Sequence, residues 1–178
     1  MSVVAFTGYR PEKMPFTEDE NDELYMRFRE QLSKVIARLI ERGYTDFVSG
    51  IALGFDTWAA EDVLEQKKNN KAITLECAIP CPQQADDWSR EDQKRRKQII
   101  RHSTSHVTTG NYPSRENFFK RNRYMVDKAE VVVCAYDGQK GGTGYTVDYA
   151  LRNDKIVIQI NPQTAKVSII SRRTFDDQ

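Results

Sequence analysis

The sequence predicts an α/β fold: a single Rossmann-like domain with a mainly parallel sheet and helices on both faces. Three observations carry this. Short β-branched or apolar runs alternate with longer segments of helical period, the pattern of repeated βαβ units. One of those runs, Val131-Val132-Val133-Cys134-Ala135, is continuously apolar and of buried-strand length, as expected for a parallel sheet covered on both sides. The length, 178 residues, suits one well-cored domain rather than two.

The first strand is expected over residues 3–7, feeding the turn Gly8-Tyr9-Arg10-Pro11. Thr17 and Glu20 have capping-box spacing ahead of a long amphipathic helix, whose Leu24, Phe28, Leu32, Val35, Ile36 and Leu39 fall on one stripe at three- and four-residue steps. Gly43 ends that helix. A strand over 45–49 runs into Gly50-Ile51-Ala52-Leu53-Gly54-Phe55-Asp56, and a helix follows from 57 to about 67. A strand over 73–79, a charged helix near 88–101, a short strand over 105–108 and a helix near 114–128 come next. The apolar strand spans 130–136, Gly141-Gly142-Thr143-Gly144 marks the following turn, and a helix near 145–152 leads to a strand over 156–160. The core is thus expected over about 3–160. The tail, 161–178, has room for one more edge strand after Pro162.

Composition excludes several classes of function. Twenty-seven basic and 26 acidic side chains leave a net charge of +1, so no whole-molecule field draws the protein onto nucleic acid or an anionic membrane, and any anion site must be local. No window approaches the roughly 18 apolar residues of a membrane span, and the start MSVVAFTGYR lacks the pattern of a secretory signal. A cytoplasmic location is expected. Cys77, Cys81 and Cys134 are an odd set, read as reduced thiols. With only His102 and His106 beside them, they do not make up the four soft ligands of a zinc site. No metal and no cofactor is called for.

In an open parallel sheet, ligands sit beyond the carboxyl ends of the strands where the strand order reverses, and three glycine-bearing turns here follow strands. Glycine lets backbone N–H groups come close to an anion, and the positive end of each following helix favours phosphate. The candidate ligand-binding residues are therefore Gly8, Gly50, Gly54, Gly141, Gly142 and Gly144, with Arg10 placed either to meet phosphate or to stand as a surface turn residue, and Ser49 and Thr143 either to donate hydroxyls to phosphate or to stabilise their turns. Asp56 is placed either to bind a ribose hydroxyl or to cap the helix beginning at Thr57. Gln84 and Trp88 follow the third strand, where an amide and an aromatic can hold a base, although a partly exposed packing role suits Trp88 better.

Two stretches carry a resemblance. Val4-Ala5-Phe6-Thr7-Gly8-Tyr9-Arg10 with Val48-Ser49-Gly50-Ile51-Ala52-Leu53-Gly54-Phe55-Asp56-Thr57-Trp58-Ala59-Ala60-Glu61 resembles the DNA-processing DprA (Smf) proteins. Arg121-Asn122-Arg123-Tyr124-Met125, then Ala129-Glu130 and Gly141-Gly142-Thr143-Gly144-Tyr145-Thr146-Val147-Asp148, resembles the LOG cytokinin-activating phosphoribohydrolases. The combination is similar to the YpsA-like branch of the SLOG superfamily, over roughly 3–160. The resemblance implies a Rossmann-like sheet, a nucleotide-type ligand and homo-oligomers.

Carried over from the LOG pattern, Arg121 and Asp148 fall on the catalytic positions for cleaving a base–ribose bond, and Asn122 pairs with the ligand. The pattern of helical faces alone packs Phe118, Phe119 and Met125 inward and leaves Arg121 exposed; the resemblance turns it toward the site. Several positions depart from that pattern. Asp148 is one methylene shorter than the glutamate expected, Tyr145 replaces a threonine, and Lys140 stands where a proline precedes the paired glycines. Asp148 also suits a plain role beside a helix N-terminus.

Three functions follow: a binding or sensing protein for a phosphorylated nucleotide such as AMP, ADP-ribose or NAD; a nucleotide N-glycosidase; and a single-stranded nucleic-acid-binding module. The last rests on the cluster Arg90, Lys94, Arg95, Arg96, Lys97 and Arg101, which Glu91 and Asp92 interrupt. The first needs only the glycine pocket and its arginines.

Overall fold

Short apolar runs and segments of helical period alternate along the chain as expected, and the computed structural model, which describes residues 2–171, turns them into one seven-stranded sheet flanked by helices. The strands are β1 (Val3–Gly8), β2 (Asp46–Ser49), β3 (Thr74–Ile79), β4 (Ser105–Thr108), β5 (Val131–Ala135), β6 (Ile156–Ile160) and β7 (Val167–Ile170). Their order across the sheet is β4-β3-β2-β1-β5-β6-β7. All neighbours are parallel except β6 and β7, which are antiparallel. The tail after Pro162 thus adds its edge strand at β7; residues 172–178 lie outside the described residues.

The helices are α1 (Glu23–Glu41), α2 (Phe55–Asn69), α3 (Arg90–His102), α4 (Arg115–Lys128) and α5 (Gly142–Arg152). Chain travel runs outward from β1 to β4 and then jumps back to β5, so right-handed crossovers place α1, α2 and α3 on one face and α4 and α5 on the other. The first face covers an aromatic cluster in which Phe6, Phe28, Phe47, Phe55 and Trp58 are all buried. Across the sheet, Thr7 and Tyr9 of the β1 exit point toward α4 and α5, whose Met125, Val126, Val147 and Ala150 close that side.

The start of α1 differs from the capping-box expectation. Asp22, not Thr17, is the N-cap: its carboxylate accepts from the N–H groups of Leu24 and Tyr25 at 3.1 and 3.2 Å. Residue 17 donates its own backbone N–H to the same carboxylate at 3.0 Å. A carboxylate that collects three N–H donors outcompetes a hydroxyl five residues upstream, and these bonds hold Asp22 ionised below the ordinary carboxylate range. Asp22→Ala should lower the midpoint of a urea melt, while Thr17→Ala should leave it within error. Two other boundaries shift. Helix α3 starts at Arg90, capped by Ser89, so Trp88 precedes it, and of the glycine run after β5 only Gly141, the N-cap, lies ahead of α5 while Gly142 and Gly144 fall in its first turn.

Candidate functional site

Strand order reverses between β1 and β5, so the crossovers leaving their carboxyl ends diverge to opposite faces and open a crevice. A cavity of about 580 Å³ lies there. Thr7, Gly8, Tyr9 and Arg10 come from the β1 exit, Ala52 and Asp56 from the β2 exit, Gly141, Gly142 and Thr143 from the start of α5, and Arg121 and Asn122 from α4. Its volume falls within the roughly 300–1,000 Å³ of small-molecule sites.

Arg121 is the deepest cation in this wall, 4% exposed. From the middle of α4 its Nη1 donates to the carbonyls of Gly50 (2.7 Å) and Ala78 (3.2 Å), at the ends of β2 and β3, and its Nε donates to Asn122 Oδ1 (2.8 Å). A Cβ at Gly50 would approach Nη1 to 2.5 Å, so only glycine lets the guanidinium lie there. Burial lowers the Arg121 pKa to about 10, with Asp56 opposing the shift.

Asp56 is 5% exposed, and its Oδ1 has no hydrogen-bond partner within the protein. Burial pushes the carboxyl up to about 6, against the pull of Arg121, a hydrogen bond from the Ala52 backbone and Arg10. For both members of the pair, desolvation outweighs mutual attraction. Asp56 is also the second residue of α2, whose first residue is Phe55, so it belongs to the helix rather than preceding it.

Around the rim stand Arg10, Lys13 and Arg115 with Glu12, so cations outnumber acids along the wall. Lys13 Nζ donates to the carbonyl of Lys140 at 3.1 Å and lies 5.6 Å from the Tyr9 ring centroid. The Tyr9 hydroxyl donates to Asp137 at 2.6 Å and accepts from the N–H groups of Asp137 and Gln139. These bonds tie the β1 exit to the β5 exit, fixing the two loops on either side of the α5 N-terminus. The aromatic part of the rim is Phe118, Phe119 and Tyr145.

The remaining sequence candidates fall elsewhere. Ser49 Oγ donates to the Asp56 carbonyl and accepts from the Ile51 N–H, so it pins the β2 turn. The Gly50 backbone sits beneath Arg121. Gly54, at φ +83°, belongs to a separate hollow of about 170 Å³ with Thr57, Arg95 and Arg96. Gly144 is packed against Tyr136. Asp148 pairs with Arg152 one turn later, at 2.7 Å, and Trp88 is likewise not part of the cavity wall. Gln84 donates to the Gly50 carbonyl and accepts from Arg96, a locked role rather than a free amide.

Lys13, Arg115, Phe118, Phe119 and Tyr145 were not among the sequence candidates. Lys13 lay three residues beyond Arg10 in the same loop, and Tyr145 one residue beyond Gly144; either offset was a usable signal. Phe118 and Phe119 read as core residues.

A larger cleft, about 800 Å³, runs between α2 and α3. It is away from the strand ends, and charges in its wall already pair, Arg95 with Glu61 and Lys68 with Glu65. Arg95 also pairs with Glu18, so the basic cluster of α3 is partly neutralised within the fold. Among the described residues no group of three or more His, Cys, Asp or Glu is arranged to hold a metal ion, and no helix is long and apolar enough to cross a membrane. All three cysteines are buried and free of disulfides.

A family model described as the YspA SLOG family, YpsA, matches residues 4–163. The chain belongs to this SLOG family. Among its relatives, a UPF0398 protein of Bacillus cereus (strain B4264) is 26% identical over 160 residues, 88% of this chain and 86% of that protein. Solved structures share the fold. DNA processing protein A from Streptococcus pneumoniae superposes with a TM-score of 0.60 at 21% identity over 89% of this chain. The same protein from Helicobacter pylori, described for its single-stranded DNA binding mode, gives 0.59 at 20% identity, again over 89% of this chain. The chain spans 50% of the first and 64% of the second, and at these identities the likeness is one of fold.

Proposed function

We propose that the cavity binds a phosphorylated nucleotide-type ligand, with its phosphate at the N-terminus of α5 and its remaining groups between Arg10, Asp56 and the aromatic rim. One observation carries this reading: the open amide end of α5 and the buried Arg121–Asp56 pair share a single cavity at the reversal of strand order. Helix N-terminal amides supply unpaired donors with a favourable dipole, and the rim cations add long-range attraction for an anion. A carboxylate oxygen in the wall suits a hydroxyl donor, as a ribose supplies. Binding or sensing requires nothing further of the fold.

The test is a thermal shift with AMP, ADP-ribose and NAD. A ligand at a hundred times its Kd stabilises by about 2.7 kcal/mol, and a domain of this size should rise by roughly 5–10 °C. Gly142→Val is the control, because an added Cβ there meets nothing within 4 Å of the protein and points the change at the ligand. The variant should melt like the parent and lose the shift. No response to any of the three nucleotides, or an undiminished response in Gly142→Val, would overturn the reading.

A further inference from the structure

Tyr145 occupies the position where the LOG-like pattern has a threonine, and its surroundings are unlike those of the other wall residues. It is the fourth residue of α5, so its ring starts about one helical turn, roughly 5 Å, from the Gly142 amide. Phe119 of α4 stacks on it, with ring centroids 4.2 Å apart and planes 25° from parallel. Arg123 Nη1 donates to its hydroxyl at 3.0 Å. The Arg115 guanidinium lies 5.2 Å from the Phe119 centroid. Yet Tyr145 remains 37% exposed and lines the cavity.

A large ring left this exposed forgoes burial that a nearby core offers, and fixing it with a second ring and a hydrogen bond holds it in one orientation. Phe119 covers one face. An exposed, orientation-locked aromatic one turn from a phosphate-binding helix end is the arrangement that stacks a base while its phosphate is held.

We propose that the Tyr145–Phe119 pair is the base subsite of the cavity, adding a heteroaromatic ring, preferably a purine for its larger overlap, to the stack on Tyr145. This rests on the phosphate site at α5 proposed above. It also replaces the sequence assignment of the base to Gln84 and Trp88, since Gln84 is held by Gly50 and Arg96 and Trp88 is outside the wall.

Isothermal titration of AMP and ribose 5-phosphate, which share the sugar and phosphate but not the base, separates the two proposals. Stacking of one base on an aromatic side chain changes affinity by about 5- to 150-fold, so AMP should bind the parent protein tighter by a factor in that range. Tyr145→Ala should reduce AMP affinity to that of ribose 5-phosphate and leave ribose 5-phosphate unchanged. Tyr145→Phe should restore the AMP preference, because the ring and not the hydroxyl makes the stack. Equal affinities for the two compounds in the parent protein, or equal weakening of both in Tyr145→Ala, would overturn the base subsite while leaving the phosphate site standing. If neither compound binds, the base subsite falls, and the phosphate site falls with it only if ADP-ribose and NAD also give no thermal shift.

Discussion

Arg121→Ala is expected to lower the unfolding free energy by about 3–5 kcal/mol, the range for breaking a buried charged network from one side. The guanidinium donates to two carbonyls at the ends of neighbouring strands and to Asn122 on its own helix, so truncation leaves Gly50 and Ala78 oxygens without those donors. It also strips Asp56 of the stronger of its two cations and leaves a void under α4. Arg121→Lys keeps the charge but replaces a planar fork with a single ammonium, which cannot serve Gly50, Ala78 and Asn122 together; it should recover only part of the loss. Urea melts at pH 7 measure both. A loss below about 1 kcal/mol in the alanine variant, the worth of one ordinary hydrogen bond, would show that Arg121 does not tie α4 to β2 and β3.

The architecture was legible because every strand of the parallel core carried its own signal. The run 131–135 is buried along its whole length, and the apolar stripe of α1, from Phe28 to Leu39, faces the sheet as its spacing requires. Boundaries were less legible where two local solutions compete. Thr17 with Glu20 and Asp22 alone are both sound caps, and only the path of residues 16–22 decides that the aspartate collects the donors. The glycines of 141–144 read as a turn, yet Gly142 and Gly144 adopt helical geometry once Gly141 has made the bend at φ +149°.

The site was legible in its backbone and less so in its side chains. Gly8, Gly141, Gly142, Arg10, Asp56, Arg121, Asn122 and Thr143 do converge, because glycine turns at strand ends and the reversal of strand order fix where backbone goes. Helical periodicity could not place Arg121: it treats a cation as solvent-facing and has no means of seeing two strand-end carbonyls on the far side of the helix. The same blindness assigned Phe118 and Phe119 to the core. Which wall an aromatic faces depends on the crossing of α4 over the sheet, a long-range fact that no window of sequence contains.

Asp56 should make stability fall as pH rises through about 6. Its ordinary pKa of 3.8 applies to the unfolded chain, and burial pushes it to about 6 in the fold. Below both values the carboxyl is protonated in either state and contributes a constant. Between them the folded state binds more proton than the unfolded, so stability drops with increasing pH, opposite to a salt-bridged carboxylate. The interval from 3.8 to about 6, at 1.36 kcal/mol for each pH unit, amounts to about 3 kcal/mol. Other acids titrate in the same range, so the measurement is the difference between the parent protein and Asp56→Asn in urea melts from pH 4 to 8. The parent should lose most of that amount relative to the variant across this span, and parallel curves would show a normally titrating Asp56. Arg121 and Arg10 face the carboxyl and oppose its shift, whereas the hydrogen bond from Ala52 does so without charge. Removing the buried cation, the stronger of the two influences, in Arg121→Ala therefore leaves desolvation less opposed, and the fall in that background should move to higher pH. A midpoint that stays in place would mean the two buried groups are electrostatically independent, which their shared cavity wall makes hard to arrange.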